Sequence, residues 1–404
     1  MKLFIKALNS CVQRKQKIMQ YRDYFLRNGH DIVADMDDAD RIIIWTCAFR
    51  GDVRDNSLSE IRRVSSRYED RVCVAGCLPD IAPDELAAVF QGSTIPWKQE
   101  SALMDRWFMT TTPLARVQPV FVEERICANT AEYLREHPES DVTFPDEFIK
   151  IVVSEGCLWN CSYCSEQLMF PPYRSFPLDE IFTRCRELVE RQQTFDVMLL
   201  SDSLVDYGTD IGTHLPGLIR RLASIHSCMA FALNNFNPIG LLKFRDDFRG
   251  FFSKGTIKHL NIPIQSASDK ILKAMNRPYS RADLQKIFDF LSDQGFTWYD
   301  THLIVGFPGE TEEDVEETLE FVMRNKIRYV LLSEYMEAGR AASAKLPGKV
   351  PHALIQQRLS SMDGVLQQSG IITNSSNSPR IQKRFEKMNR DSDTERRHNE
   401  ELRS

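Results

Sequence analysis

The sequence predicts an α/β protein in two parts: a small, doubly wound α/β domain at the N-terminus, and after it a (β/α)6 partial barrel. Short apolar, β-branched runs alternate with helical periodicity over about the first ninety residues, and the alternation resumes near residue 147 for about 190 residues. Such runs are typical of parallel strands that helices cover on both faces. Six β/α units are too few for a closed eight-stranded barrel, so we predict a partial one.

The N-terminal domain is predicted to span residues 1–91. Its strand candidates are KLFIKAL at 2–8, RIIIWT at 41–46 and VCVA at 72–75, and helical periodicity covers 14–28 and 53–68. Strands that alternate with helices in this way favour βαβ units and a parallel sheet. Residues 92–146 are less regular and contain the loop signals TTTP and HPESDVTFP, so we interpret them as a connector.

The barrel is predicted to span residues 147–336. Its six strand candidates, separated by helix-like segments, are FIKIVV, DVMLL, MAFALN, HLNIPI, WYDTHLIV and RYVLLS. Residues 337–369 are predicted to form a helical C-terminal extension. Residues 370–404 are polar, rich in Arg, Glu, Asp and Asn, and we predict a disordered tail there.

The composition argues against several classes of protein. A net charge of -6 and a pI near 5.9 do not favour a broad basic surface for nucleic acid. No apolar run approaches the roughly 18 residues that cross a bilayer, and MKLFIKALN is too short in its apolar part for a signal peptide. We therefore expect a cytoplasmic protein without a membrane span. In that reducing compartment the ten cysteines are expected to be core residues, nucleophiles or metal ligands rather than disulfides.

Three cysteines lie close together in SEGCLWNCSYCSEQ, residues 154–167: Cys157, Cys161 and Cys164. They follow the first barrel strand, at the mouth where barrel active sites lie. Structural zinc usually takes four protein ligands, which this stretch does not supply. Three thiolates on one loop instead suit three irons of a [4Fe–4S] cube, whose fourth iron stays open to another ligand. The spacing therefore predicts an iron–sulfur cluster.

Three further cysteines follow successive strands of the N-terminal domain: Cys11, Cys47 and Cys77. The carboxyl ends of parallel strands meet at one edge of a sheet, where an open α/β fold gathers its ligand. These thiols are therefore expected to converge in space as a second three-thiolate site. Cysteine is also a common core residue, and position alone leaves both interpretations open.

Several long motifs occur in one order along the chain. The form C-x3-C-x-aromatic-C, with Tyr163 as the aromatic residue, is joined by DDADRIIIWTCAFR, VAGCLP, NIPIQSASDKILKAMNRPYSR at 261–281, LIVGFPGETEEDVEETL at 303–319 and EAGRAASAKLPGKVP at 337–351. Through these motifs, residues 5–90 and 147–360 resemble the radical S-adenosylmethionine (SAM) methylthiotransferase family. Its members modify a tRNA adenosine or a ribosomal-protein aspartate.

The resemblance implies a radical SAM barrel whose open iron binds SAM. The cluster then donates one electron to SAM, which yields methionine and a 5′-deoxyadenosyl radical. Gly306 and Gly309 would let the backbone approach an adenine edge, although an ordinary strand-to-helix turn is the alternative. Gln265 and Ser266 end the fourth strand, where they are candidates for the ribose or the methionine carboxylate. Arg174 is a candidate for SAM or substrate, and a solvated surface arginine is equally compatible with its position.

The resemblance also implies that Cys11, Cys47 and Cys77 hold a second [4Fe–4S] cluster that carries the sulfur. One SAM would methylate that sulfur, and a second would generate the radical. We expect the substrate to be a peptide or protein side chain and the reductant to be of flavodoxin or ferredoxin type. The alternatives are a tRNA substrate, sulfur insertion without methyl transfer, or a non-catalytic iron–sulfur sensor.

Some residues depart from the family pattern. The family usually has Asn where this chain has Trp45, Gly where it has Ser10, and Asp where it has His302. Members that act on tRNA or the ribosomal protein also end in a small β-rich domain, which the residues after 350 do not resemble. These departures lie at barrel-facing positions and in the recruiting domain, so they bear on the substrate rather than on the cluster chemistry.

Overall fold

The structure, a computed structural model, describes residues 1–8, 12–48, 51–117, 148–338 and 340–373, with only the backbone for 12–16 and 52. The predicted tail from residue 374 onward, most of the predicted connector, and Cys11 lie outside the described residues. The α/β class and the two-part organisation predicted from the sequence are confirmed in the described part of the chain.

The N-terminal sheet has five parallel strands in the order β2-β1-β3-β4-β5. They are β1 Lys2–Ala7, β2 Asp31–Ile32, β3 Arg41–Thr46, β4 Val72–Gly76 and β5 Ser93–Ile95. The helices are α1 Val12–Arg27, α2 Gly51–Tyr68, α3 Leu78–Ile81, α4 Pro83–Ala87 and α5 Glu100–Trp107. This strand order is one of the two common doubly wound orders, which bind ligands where the order reverses, between β1 and β3.

The predicted domain boundary at residue 91 lies inside this unit. β5 adds to the sheet beside β4, and α5 is held to α1 by side-chain hydrogen bonds. Tyr21 donates to Glu100 at 2.8 Å and Tyr24 donates to Asp105 at 3.0 Å. The residues up to Val117 therefore belong to the N-terminal domain rather than to a connector. A strand of three residues is too short to produce a recognisable pattern in the sequence.

The second sheet contains the six predicted barrel strands, all parallel, and one further strand at its edge, in the order β14-β13-β12-β11-β10-β9-β6. The strands are β6 Ile149–Val152, β9 Asp196–Leu200, β10 Ala230–Leu233, β11 Ile257–Asn261, β12 Tyr299–Val305, β13 Tyr329–Glu334 and β14 Ile372–Thr373, and a separate antiparallel pair is β7 Ser154–Glu155 with β8 Arg174–Ser175. The edge strand β14 lies in what was predicted to be the start of the tail, because it continues directly from the extension helix and pairs with β13.

Helices connect these strands on the outside of the sheet. They are α6 Leu178–Gln192, α7 Leu215–Ala223, α8 Ile239–Lys243, α9 Arg245–Ser253, α10 Asp269–Ala274, α11 Arg281–Asp293, α12 Glu312–Arg324 and α13 His352–Gln368. A large apolar core fills the space between them and the strands. The open sheet with its parallel strands is the predicted (β/α)6 partial barrel.

The two parts are joined by apolar and ionic contacts. Met169, from the loop after the barrel cysteines, is fully buried against the N-terminal core. Lys17 of α1 is buried between Glu100 at 3.1 Å and Glu155 of β7 at 3.7 Å. A lysine ammonium that bridges carboxylates from both parts opposes their separation, since parting would leave a buried charge uncompensated.

The carboxylate of Asp314 is expected to stabilise the barrel. Burial alone would raise its pKa, but hydrogen bonds from Lys270, Ser268 and Thr311 lower the pKa to about 2. A depressed carboxylate pKa stabilises the fold above pH 3.8, and this contribution is lost as the pH falls towards 2.

We therefore expect Asp314→Asn to lower the free energy of unfolding by about 2 kcal/mol at pH 7, as measured by urea denaturation. Below pH 4 the difference from wild type should shrink. The exposed Asp293, at the end of α11, supplies the matched control Asp293→Asn. Equal urea midpoints for the two variants at pH 7 would contradict the prediction.

Candidate functional site

The loop with Cys157, Cys161 and Cys164 leaves β7 and returns to β8, so the antiparallel pair closes its base. The backbone N–H of Gly156 donates to Asp202 at 2.9 Å, which fixes the chain just before Cys157. Ser162 bonds to two backbone carbonyls at the end of α10, at 2.7 and 3.0 Å. The loop is therefore held from β7, from the turn after β9 and from α10.

The three thiols lie in a low-dielectric environment suited to a cluster. Cys161 is buried, and Cys157 and Cys164 are half-buried. Burial raises the pKa of the Cys157 thiol to about 12 and also raises that of Cys164. The raised pKa favours the protonated form of the Cys157 and Cys164 thiols without a metal, and coordination to iron would deprotonate them.

Within the described residues, no three His, Cys, Asp or Glu side chains are grouped as ligands of a single ion. A [4Fe–4S] cube does not require that grouping, because each thiolate binds a different iron. The donor set of three thiolates on one buried loop fits the cube.

A cleft lies between the mouth of the barrel and the N-terminal domain. The barrel contributes Tyr163, Cys164, Gln265, His302 and the segment Ser333–Ala338 to its walls, and the N-terminal domain contributes Ala48, Arg54, Ile81, Ala82 and Glu85. Ala48 directly follows Cys47, and Ile81 and Ala82 lie one helical turn after Cys77. One cleft therefore reaches both predicted cysteine sites.

Cys47 and Cys77 lie side by side at the edge of the N-terminal sheet. Thr46 and Gly76, the last residues of β3 and β4, are partners in the strand register, and each precedes one of these cysteines. Both cysteines are buried. A Cβ on Gly76, which has φ +94°, would lie 2.7 Å from the backbone nitrogen of Thr46 and closer still to its carbonyl oxygen. Only glycine permits this close approach of the two strand ends.

Cys11 lies outside the described residues, so the structure tests only two members of the predicted second site. Strand β1, which precedes Cys11, pairs with β3 along its whole length, and the N–H of Leu8 donates to Trp45 at 2.8 Å. The β1 and β3 ends are therefore adjacent, at the position where a doubly wound sheet binds its ligand.

Gln265 is the predicted SAM contact with the most unusual backbone. It lines the cleft and has φ +70°, a conformation that non-glycine residues rarely adopt. Two backbone hydrogen bonds hold it there, from its N–H to His302 at 2.8 Å and from Ile304 to its carbonyl at 3.0 Å. Strain that the surrounding strands hold in place at a cleft is consistent with a ligand-binding role.

Other predicted SAM contacts do not line this cleft. The Ser266 hydroxyl bonds to Thr318 at 3.2 Å and is buried against α12. The N–H groups of Gly306 and Gly309 donate to Glu310 at 2.6 Å and Gly348 at 2.8 Å, so both donors have partners within the protein, and their approach to an adenine stays a prediction. Arg174 is mostly exposed and pairs with Glu155 at 3.4 Å, as the surface alternative predicted.

His302 lines the cleft and is held by a polar chain inside the barrel. The Oδ1 of Asn261 accepts a hydrogen bond from the backbone N–H of Asn235 at 3.1 Å. With Oδ1 engaged there, the Nδ2 of Asn261 faces Asp300 and lies 3.1 Å from Nε2 of His302. Burial lowers the pKa of His302, against the opposing effect of Asp300. The lowered pKa favours the neutral form of the ring. The sequence marked this position only as a departure from the family.

The charged residues in the walls of the cleft are mainly acidic. The carboxylates are Glu85, Glu166, Glu334 and Glu337, and the lining contains one arginine, Arg54. These residues come from four separate segments, so no run of acidic residues in the sequence indicates them.

No helix in the described ranges is both long and apolar enough to span a bilayer.

Two family models match the chain in sequence. Residues 151–322 match the radical SAM superfamily, and residues 6–95 match the uncharacterized protein family UPF0004. The barrel and the three-thiol loop therefore define a radical SAM enzyme.

Curated relatives indicate a narrower class within the radical SAM enzymes. The chain is 28% identical over 373 residues to the ribosomal protein uS12 methylthiotransferase RimO of Thermosipho melanesiensis, covering 89% of this chain and 81% of that one. It is 27% identical over 353 residues to the human threonylcarbamoyladenosine tRNA methylthiotransferase, covering 83% of this chain and 58% of the relative. The chain belongs to the radical SAM methylthiotransferase family, and it is an enzyme that uses [4Fe–4S] chemistry and SAM.

Solved structures agree on the fold. The radical SAM methyltransferase TsrM from Kitasatospora setae superposes with a TM-score of 0.56 at 12% identity, covering 82% of this chain and 74% of that one. The cobalamin-dependent radical enzyme OxsB superposes with a TM-score of 0.55 at 11% identity, covering 98% of this chain and 61% of that one. At these identities the likeness is one of architecture.

Proposed function

We propose that this enzyme carries two [4Fe–4S] clusters and installs a methylthio group at an unactivated C–H of a peptide or protein side chain. One SAM serves as methyl donor, and a second serves as the radical source. Cys157, Cys161 and Cys164 hold the cluster that binds SAM, and Cys11, Cys47 and Cys77 hold the cluster that carries sulfur. The observation that carries the proposal is a cleft with Cys164 in one wall and close sequence neighbours of Cys47 and Cys77, namely Ala48 and Ile81, in the other.

The bound clusters and SAM supply the electron transfer and the sulfur, and the chain positions the reacting groups. Tyr163 and Cys164 form the barrel wall, and Gln265 and His302 present polar groups beside them. Ala48 and Ala82 contribute small side chains to the opposite wall, which also contains Arg54, Ile81 and Glu85. The two parts line the cleft from opposite sides.

A buried, unpartnered N–H supports the second cluster. Trp45 is 1% exposed, and its indole Nε1 has no hydrogen-bond partner among the described residues. Trp45 lies on β3, and Cys47 follows the last residue of that strand. A buried donor without an acceptor is unfavourable, and a group with acceptor sulfurs beside Cys47 would supply one.

The acidic lining supports a peptide or protein substrate over tRNA. Four glutamates face one arginine in the cleft, and a phosphate backbone would be repelled there. The name of the Thermosipho relative points to a protein substrate, whereas the name of the human relative keeps tRNA as the second candidate. A reductant of flavodoxin or ferredoxin type and a cytoplasmic location stay predictions.

The test measures two products without needing the substrate. The anaerobically reconstituted protein, given dithionite and SAM, is expected to form S-adenosylhomocysteine from methyl transfer and 5′-deoxyadenosine from SAM cleavage, both measured by mass spectrometry. Cys47→Ala and Cys77→Ala should each abolish the first product and retain the second. Cys73→Ala, in the buried part of the same strand as Gly76, is the matched control and should retain both.

Other outcomes would count against the proposal. If 5′-deoxyadenosine alone forms, the N-terminal site does not accept a methyl group, and sulfur insertion without methylation becomes the better reading. Incubation with ribosomal protein uS12 or with total tRNA, followed by mass analysis for an added methylthio group, separates the two substrate classes. Modification of tRNA alone would overturn the peptide or protein assignment.

A further inference from the structure

Arg277 contacts a predicted cluster ligand from the side of the barrel. It follows α10, and its Nη1 donates to Sγ of Cys161 at 3.4 Å and to the hydroxyl of Tyr163 at 3.3 Å. Its Nε donates to the Tyr279 hydroxyl at 2.6 Å, and its Nη2 donates to the carbonyl of Pro263 at 2.9 Å. The planar guanidinium is thus fixed on both edges, with one edge against sulfur.

The charge of Arg277 has no carboxylate partner among the described residues. Its contacts are two phenols, one carbonyl and one thiol, and its guanidinium also lies over the Tyr279 ring at 4.9 Å. Guanidinium does not lose its proton in proteins, so the positive charge is present whatever occupies the site. A partly buried charge is unfavourable unless an anion compensates it. Among the contacted groups, Cys161 is the one that becomes an anion when it binds iron.

We propose that Arg277 sets the reduction potential of the barrel cluster by donating a charge-assisted hydrogen bond to the Cys161 thiolate. The reduced cluster carries one more negative charge than the oxidised cluster, so a fixed positive charge at a ligand sulfur favours the reduced form. Hydrogen bonds to the sulfurs and local charge are known levers on cluster potentials. Arg277 is thus a positioning residue that acts through Cys161. The inference rests on the part of the proposed function that places a cluster on Cys161, and does not depend on the second cluster.

The geometry requires arginine rather than lysine. Three nitrogens of the fork each have a separate acceptor, and the Tyr279 hydroxyl is itself held within hydrogen-bond distance of two backbone carbonyls after β11. A lysine ammonium retains the charge but cannot hold these acceptors and the sulfur together. Lysine should therefore preserve part of the effect, and a neutral residue of similar size should preserve none.

The experiment is a redox titration of the barrel cluster, monitored by electron paramagnetic resonance. It uses the full chain with Cys47→Ala and Cys77→Ala, so that one cluster is titrated. In this background Arg277→Gln should lower the ratio of reduced to oxidised cluster about tenfold at a fixed potential. For a one-electron couple, that change corresponds to a reduction potential about 59 mV lower. Arg277→Lys should fall between Arg277→Gln and the parent. Arg281→Gln, at the start of α11 and paired with Glu317 and Glu320, is the matched control and should not move the potential.

The result that overturns the inference is a potential for Arg277→Gln or Arg277→Lys equal to that of the parent. If the Gln variant fails to assemble its cluster, the Lys variant decides, because the proposal requires it to titrate below the parent. Iron content and the visible absorption of each sample establish that a cluster is present before titration. Absence of any cluster from the parent itself would instead refute the proposed function, so the two failures are distinguishable.

Discussion

Changing Cys161 to Ala is expected to abolish formation of 5′-deoxyadenosine. Cys161 is the most buried of the three barrel cysteines, at 7% exposure, and its sulfur receives the hydrogen bond from Arg277. Its loss would leave two thiolates for a cube that needs three. It would also leave the guanidinium of Arg277 without an anion. Changes outside the ligand set of a metal site typically lower affinity or activity 10–100-fold, so removal of a ligand should lower the rate by more than about 100-fold.

The measurement is the rate of 5′-deoxyadenosine formation with dithionite and SAM, together with iron content. The matched control is Cys185→Ala, which removes a fully buried thiol from α6 in the barrel core. This variant should retain the cluster and the wild-type rate of 5′-deoxyadenosine formation, and it should lose only a modest amount of stability. A Cys161→Ala protein that still cleaved SAM at the wild-type rate would show that the cluster is not on this loop.

Changing Gly76 to Ala is expected to disrupt the N-terminal site without touching a cysteine. The added methyl group would overlap the backbone of Thr46, and backbone atoms in paired strands cannot move aside as a flexible side chain can. Overpacking costs about 1–3 kcal/mol, and a left-handed conformation adds about 1–2 kcal/mol for a residue with a Cβ. We expect the N-terminal domain to lose about 3 kcal/mol of stability and the protein to lose S-adenosylhomocysteine formation.

The matched control is Gly29→Ala in the same domain. Gly29 also has a positive φ, +73°, but a Cβ there would meet no atom within 4 Å. It should therefore lose only about 1 kcal/mol and keep both SAM products. Urea denaturation and product analysis of the two variants separate the steric overlap from the backbone conformation. Equal stability losses would show that the approach of the β3 and β4 ends is not tight.

Much of the fold could be predicted because the strands are long apolar runs. RIIIWT and DVMLL correspond to β3 and β9, and the thiol spacing on one loop needs only local sequence. The short strands β2, β5 and β14 could not be predicted, because two or three residues carry no periodicity and depend on pairing with a neighbour. For this reason the sequence does not indicate that β5 and α5, which follow residue 91, pack with the N-terminal sheet and α1.

The site was predicted where strand ends define it and missed where distant segments do. Cys47 and Cys77 could be placed together from the parallel sheet alone. The acidic lining could not be predicted, because its glutamates come from three separate segments that only the folded chain brings together. Arg277 was inside a recognised motif, but its contact with Cys161, 116 residues away, exists only in three dimensions. Ser266 was assigned to SAM because it follows a strand, and the structure turns its hydroxyl towards α12.

The division of the cleft wall has a consequence for how new specificities can arise. The described cysteines of the two predicted cluster sites lie on turns held by strand register and backbone hydrogen bonds, whereas much of the barrel side of the cleft is the single run Ser333–Ala338. Substitutions in that run can alter shape and charge while the cofactor ligands keep their positions. The chemistry and the choice of substrate are therefore encoded in separable stretches of the chain. A library of variants restricted to those few codons would change which substrates are accepted and leave the type of reaction unchanged.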